Sequence, residues 1–226
     1  MTPELIVMLT NNDKTVIDAV EVFENCKDLP VQKWGFKDVG LDKEAMIDLN
    51  QKMKAAGKTT YLEVVTYTEE GCLEGAELAG QCGFDYLTGT VYYPSVRAIL
   101  DKYHLKYYPF AGTVAGSPVA LTGSVEEIAK DCVRLVEAGA NGIDLTAYRY
   151  TEGDPLELLK AVGREIGLDK VTIAGSVGSK ERIDEVAVLG CRAFTMGSAL
   201  FQKKFVKGGT FRENLEWVIT YLNEHR

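Results

Sequence analysis

Two Gly-Ser pairs sit at matching places near the end of the chain. They are Gly175-Ser176 in VTIAGSVGSKERIDEV and Gly197-Ser198 in RAFTMGSALF. Each pair follows a short apolar run and precedes a helical pattern, so each is expected to form a strand-to-helix turn. Glycine lets the main chain approach a ligand closely, serine adds a hydroxyl, and the helix start adds unpaired N–H groups. Together these features suit phosphate. Chemistry on carbon would fall to charged residues inside other apolar runs: Lys37 in KWGFKDVG, Glu63 in TTYLEVV and Asp144 in NGIDLTAYRY. A lysine can polarise a carbonyl or form a Schiff base, and carboxylates can move protons. Arg149 follows Asp144 closely and is a candidate for a second anionic group.

Eight short apolar runs must position these residues. They span Leu5–Leu9, Gln32–Val39, Thr59–Val65, Asp85–Thr90, Lys106–Gly112, Gly142–Ala147, Val171–Ser176 and Ala193–Gly197, with amphipathic helical segments between them and no hairpin signal. Val125, Ile128, Ala129, Val133 and Val136 show the helical spacing, and Ser124 with Glu127 forms a capping box before them. Gly57 and Gly139 stand where helices should stop. Repeated βα units imply a parallel sheet covered by helices, and eight of them close a barrel. The first turn, TNNDK, has no glycine, which weakens a doubly wound dinucleotide fold. The expectation is therefore a single (β/α)8 TIM barrel over residues 1–226.

Strand alternation then aims the candidates. Trp34 and Phe36, Leu62 and Val64, and Ile143 and Leu145 suit the helix layer. Gly35 and Lys37, Tyr61 and Glu63, and Asp144 and Thr146 should point into the barrel. Lys37 and Glu63 become neighbours on adjacent strands. Buried charges of this kind either serve a ligand or form an ion-pair network that closes the polar end of the barrel. Asp38 either orients Lys37 or caps the next helix. Asn12 or Asp13 is expected to cap the first helix, with a substrate contact as the alternative, while Thr88, Thr90 and Tyr92 are weak candidates for ligand hydroxyls. The segment Thr113–Gly123 is read as a loop near the site.

The chain has 226 residues, 33 acidic and 25 basic side chains, and a formal net charge of −8. That balance argues against nucleic-acid and anionic-membrane partners. The start lacks a basic n-region, and no apolar run approaches a membrane span, so a soluble cytoplasmic protein is the default expectation. The five cysteines form no CxxC pair and are expected to be buried thiols. The two histidines, His104 and His225, fall away from the predicted site, which argues against a histidine-ligated metal. A carboxylate-only Mg²⁺ site at Asp38, Glu63 or Asp144 has no supporting motif. Nucleophile-elbow, P-loop and dinucleotide motifs are absent.

From Ala174-Gly175-Ser176 to Gly197-Ser198 the chain resembles the ribulose-phosphate-binding barrel superfamily, and EAGANGIDLTAYR resembles a strand start in those barrels. The resemblance implies that Gly175, Ser176, Gly197 and Ser198 hold a substrate phosphate, and it adds weight to Asp144 as acid or base. Departures leave the reaction open. The DxKxxD motif of the decarboxylases, the metal-binding histidines of the epimerases and the N-terminal Cys or Asp of the biosynthetic isomerases are missing. The expectation is an enzyme acting on a small phosphorylated carbon compound, a sugar phosphate, by aldolase/lyase or isomerase/epimerase chemistry. The alternatives are a phosphometabolite sensor, like the glycerol-phosphate-responsive antiterminator that such barrels resemble, and an FMN barrel. Lys203, Lys204 and Lys207 are read as a solvated helix start or the rim of the phosphate site. A homodimer is the base-rate expectation for assembly.

Overall fold

The computed structural model describes residues 2–224, so His225 lies outside the described residues. Eight parallel strands alternate with helices along the chain. The strands are β1 (Glu4–Met8), β2 (Lys33–Lys37), β3 (Thr59–Val64), β4 (Tyr86–Gly89), β5 (Lys106–Tyr108), β6 (Ile143–Leu145), β7 (Val171–Ile173) and β8 (Ala193–Met196). They pair in parallel in the order β6-β7-β8-β1-β2-β3-β4-β5. Main-chain bonds from Asn141 to Tyr107 (2.9 Å) and from Asp144 to Pro109 (2.9 Å) bring the two ends together. The result is the expected (β/α)8 barrel.

The covering helices are α1 (Ala19–Glu24), α2 (Lys43–Ala55), α3 (Glu69–Cys82), α4 (Pro94–Lys102), α5 (Val125–Glu137), α6 (Pro155–Ile166), α7 (Lys180–Leu189), α8 (Ser198–Phe201) and α9 (Phe211–Glu224). The capping box at Ser124 and Glu127 forms as expected. Gly57 and Gly139 end their helices at φ 74° and 98°, in the left-handed region that disfavours a side chain. All five cysteines are buried and unpaired. No helix among the described residues is long and apolar enough to cross a membrane.

Alternation sorts the core into two layers. Outward residues such as Trp34, Phe36, Leu62, Leu87, Ile143 and Phe194 pack under the helices. Inward residues Ile6, Met8, Tyr61, Tyr86, Tyr108 and Ala193 form a separate inner cluster. Tyr61 stacks on Tyr86 with ring centroids 4.3 Å apart, and Tyr86 lies 5.7 Å from Tyr108. These rings fill the barrel below the level of Lys37 and separate it from a second polar group at the N-terminal end, where Glu4 pairs with Lys33 and Arg192.

Two features depart from the sequence expectation. The TNNDK segment is not a helix cap. Thr10–Asn11 and Lys14–Thr15 pair as a short antiparallel hairpin, with Asn12 and Asp13 at φ 49° and 61°. Asparagine and aspartate tolerate this left-handed geometry better than other side-chain-bearing residues, which suits a primed hairpin turn. Helix α1 instead starts after Asp18, whose side chain makes no cap bond. The Thr113–Gly123 loop contains a second hairpin, Thr113–Ala115 with Ala120–Thr122. It is tied down by the Tyr67 hydroxyl donating to Gly116 O (2.6 Å) and the Thr151 N–H donating to Leu121 O (3.0 Å).

Closure between β5 and β6 depends on close approach at Gly142. A Cβ there would meet the Tyr108 ring at 2.2 Å and Lys170 O at 2.5 Å. Gly142→Ala is expected to destabilise the fold by about 1–3 kcal/mol, the usual cost of overpacking. Urea unfolding should show a lower midpoint at unchanged slope. A wild-type midpoint would mean that this closure has slack.

Candidate functional site

Strand β2 ends at Lys37, and its register neighbour on β3 is Glu63. Both point inward, as alternation requires. Lys37 is 5% exposed, and its Nζ stands 3.5 Å from a Glu63 carboxylate oxygen. A second partner comes from the first hairpin, where Asp13 accepts from Lys37 Nζ at 2.8 Å. The hairpin is fixed to the strand that carries Lys37. The Thr15 hydroxyl donates to Lys37 O at 2.8 Å and accepts from the Lys37 N–H at 2.9 Å.

Electrostatics follow from this geometry. Burial opposes the Lys37 charge, but Glu63 and Asp13 outweigh it and raise the ammonium pKa above its ordinary value. Burial also opposes the Asp13 charge, yet Lys37 and then Arg149 hold its carboxyl below the usual range. Asp38 caps nothing. Asp42 caps α2 by accepting from the Ala45 N–H (2.8 Å), and burial pushes the Asp38 carboxyl up to about 6.

Asp144 is 1% exposed on β6. Neither of its oxygens accepts a bond of ordinary geometry, although the Gly89 amide is near enough to favour the charged form slightly. Burial, reinforced by Glu63, pushes this carboxyl well above the usual carboxylate range. The hydroxyls of Thr10 and Thr146 are also buried and unpartnered.

The two Gly-Ser turns face Lys37 across the barrel mouth. Gly175 and Ser176 both have positive φ, 72° and 61°, so the chain bends sharply before α7. The Gly175 N–H is used by the Thr195 hydroxyl (3.0 Å). The turn continues through Val177 and Gly178 to Ser179, which caps α7 by accepting from the Arg182 N–H (3.4 Å). Arg182 also donates to Ser176 O and lies over the Tyr148 ring, 4.6 Å from its centroid. At the second turn, Gly197 is pressed against β1 and the first hairpin, and a Cβ there would meet Thr10 O at 2.5 Å and Met8 O at 2.8 Å. The Ser198 hydroxyl accepts from the Asn12 N–H at 3.1 Å. The first hairpin thus touches both Lys37 and the second turn.

One cavity of about 510 Å³ joins these groups. Lys37 and Glu63 lie at one side, the Gly175–Ser179 and Gly197–Ser198 segments at the other, and Arg149, Arg182 and Lys204 around it. Arg149 leans on the first turn, with Nε 3.4 Å from Ser176 Oγ and a guanidinium nitrogen 3.7 Å from Asp13. It therefore contacts both this turn and the hairpin. Thr10, Arg182, Gly178 and Ser179 join the site unannounced by the sequence, and Asp13, expected first as a helix cap, joins it from the hairpin. The repeated small residues of GSVGS were the available signal for Gly178 and Ser179.

Other candidates are consumed elsewhere. The Thr90 hydroxyl pairs with the Tyr107 hydroxyl (2.7 Å), the Tyr92 hydroxyl donates to Ala138 O, and Thr88 is buried in β4. His104 lies beside Lys106 at the opposite end of the barrel. Among the described residues no three His, Cys, Asp or Glu side chains gather as a metal-binding group. With Lys37 set between Asp13 and Glu63, the carboxylates nearest the cavity already have a cation.

No protein-family model and no curated protein matches the sequence. Solved structures do match in fold. A structure described as native KDPGal aligns at 13% identity over 99% of this chain and 98% of that one, with TM-score 0.69. Orotidine 5'-phosphate decarboxylase from Pyrococcus horikoshii OT3 aligns at 13% identity over 97% and 99%, with TM-score 0.67. Thiamine phosphate pyrophosphorylase from Pyrococcus furiosus aligns at 13% identity over 99% and 96%, with TM-score 0.66. The likeness reaches N-acetylmannosamine-6-phosphate 2-epimerase from Clostridium perfringens (TM-score 0.63, 10% identity, 90% and 92% covered). It also reaches a glycerol uptake operon antiterminator regulatory protein from Listeria monocytogenes (TM-score 0.59, 12% identity, 88% and 93% covered). At these identities the shared property is the fold alone, a (β/α)8 barrel.

Proposed function

We propose that this protein is an enzyme acting on a small phosphorylated carbon compound, such as a sugar phosphate, by aldol-type cleavage or by isomerisation or epimerisation. One observation carries the reading. A single cavity holds a cation-rimmed pair of glycine-serine turns at one side and a buried lysine–glutamate pair at the other. The turns would hold the phosphate through main-chain N–H groups, Ser176, Ser198, Arg149, Arg182 and Lys204. Names of several fold neighbours carry a phosphorylated compound, which agrees with this assignment.

Chemistry would occur at the Lys37 side. Lys37 is held as an ammonium by two carboxylates, so it suits stabilising an oxyanion at a substrate carbonyl better than attacking it as an amine. Glu63 would take a proton from carbon or hydroxyl beside that carbonyl, and Asp144, whose carboxyl burial pushes well above the usual carboxylate range, would return one. A Schiff base requires a neutral Lys37, which Asp13 and Glu63 oppose. A non-catalytic sensor is the second reading, favoured by the fold likeness to the antiterminator regulator. Such a protein would bind phosphate esters without turning them over. FMN would place its phosphate on the same turns, and it is the least economical occupant of a cavity with two inward charged pairs.

Thermal-shift measurements test the phosphate assignment. A phosphate ester at about 100 times its Kd should stabilise the fold by about 2.7 kcal/mol. Ser198→Asp sets a carboxylate where phosphate would lie and should erase the shift. This variant is cleaner than one at Gly197, where any Cβ meets main-chain oxygens. An equal shift in Ser198→Asp would remove the assignment.

Lys37→Met should lower kcat/KM by about 10²–10³, the usual loss for one oxyanion-stabilising group, while the phosphate-dependent thermal shift remains. Borohydride added during turnover should leave Lys37 unmodified by mass. A reduced substrate adduct on Lys37 would show that it works as an amine.

A further inference from the structure

Six charged side chains line the cavity: Lys37, Arg149, Arg182, Lys204, Asp13 and Glu63. Their arrangement is uneven. Asp13 and Glu63 both contact Lys37, and Asp13 also contacts Arg149, which reaches from the Gly175-Ser176 turn, so these two anions and two cations offset one another. Arg182 and Lys204 form no ion pair among the described residues, and both stand at the Gly175–Ser179 turn. The surplus of about two positive charges lies there. A phosphate monoester carries about −1.5 to −2 near neutral pH, so it alone balances the site.

The deep side offers neutral partners instead. Thr10 and Thr146 line the cavity, are 5% and 3% exposed, and have hydroxyls without any hydrogen-bond partner. Asp144 sits one inward position lower on the strand that leads to Thr146, and both its oxygens are also unpartnered. Buried polar groups left unpaired are costly, and ligand oxygens within reach would relieve that cost. A ligand carboxylate here would meet Asp13 and Glu63, with Lys37 already shared between them. Burial also pushes the Asp144 carboxyl well above the usual carboxylate range, which favours its neutral form beneath Thr146.

We infer that the deep side of this cavity selects an uncharged frame bearing hydroxyl or carbonyl oxygens, so that phosphate is the ligand's one charged group. The inference rests on the phosphate reading above and narrows it, since it excludes phosphorylated sugar acids.

Calorimetric titration of the wild-type protein with matched pairs tests it. Glycerol 3-phosphate is set against 3-phosphoglycerate, and glucitol 6-phosphate against 6-phosphogluconate, with inorganic phosphate as reference. In each pair a hydroxymethyl group replaces a carboxylate. The neutral member should bind at least tenfold more tightly in one pair or both. Thr146→Val should erase most of that preference and leave the affinity for inorganic phosphate unchanged. Inorganic phosphate binding together with equal or tighter binding of the carboxylates would overturn this inference alone. Failure of every probe, inorganic phosphate included, would overturn the phosphate reading and this inference with it.

Discussion

Lys37 carries its charge where little of its side chain reaches water, and the top of the barrel is organised around keeping it there. An isolated ammonium in that position would cost several kcal/mol and would lose its proton. Asp13 at 2.8 Å and Glu63 at 3.5 Å prevent that. Each partner depends on a different part of the fold. Glu63 is delivered by the β2–β3 register, and Asp13 by the two left-handed residues of the first hairpin. Removing one partner of a buried pair typically costs about 3–5 kcal/mol, so strand register and hairpin geometry are both held by the same charge.

That hairpin also links the two sides of the cavity. Thr15 is bonded to the main chain of Lys37, and the Asn12 N–H is bonded to the Ser198 hydroxyl. A ligand group arriving at Ser198 therefore touches the element that supplies the Lys37 counterion. Below this layer the barrel is filled by tyrosine rings and aliphatic side chains, and the unpartnered hydroxyls of Thr10 and Thr146 belong to residues that line the cavity above them. The positive surplus at Arg182 and Lys204 and the neutral deep side give the cavity a direction.

Much of this was legible in the sequence. Buried parallel strands read as apolar runs, and a lone Lys, Glu or Asp within such a run stands out. Alternation from Trp34 and Phe36 fixed the side of Lys37, and the same rule aimed Glu63 and Asp144. The hairpin was not legible, because Asn and Asp serve equally as helix caps and as left-handed turn residues, and only tertiary contact with Lys37 decides between them. Arg182 was hidden, and Lys204 was left between solvent and the rim of the site, for another reason. Basic residues near helix starts look the same whether they face solvent or a ligand. Thr90 and Tyr92 show the converse, since polar residues at a strand end can be used up by their own neighbours.

The most direct test of this account is the ionisation of Lys37 itself. Carbon-13 NMR of labelled lysine Cε, assigned with Lys37→Met, follows that ionisation through a pH titration. The account predicts that Lys37 stays an ammonium beyond the ordinary lysine value of about 10.4 and that Asp13→Asn lowers its titration point. A Lys37 that loses its proton below the ordinary value would contradict it, and would return the site to amine chemistry.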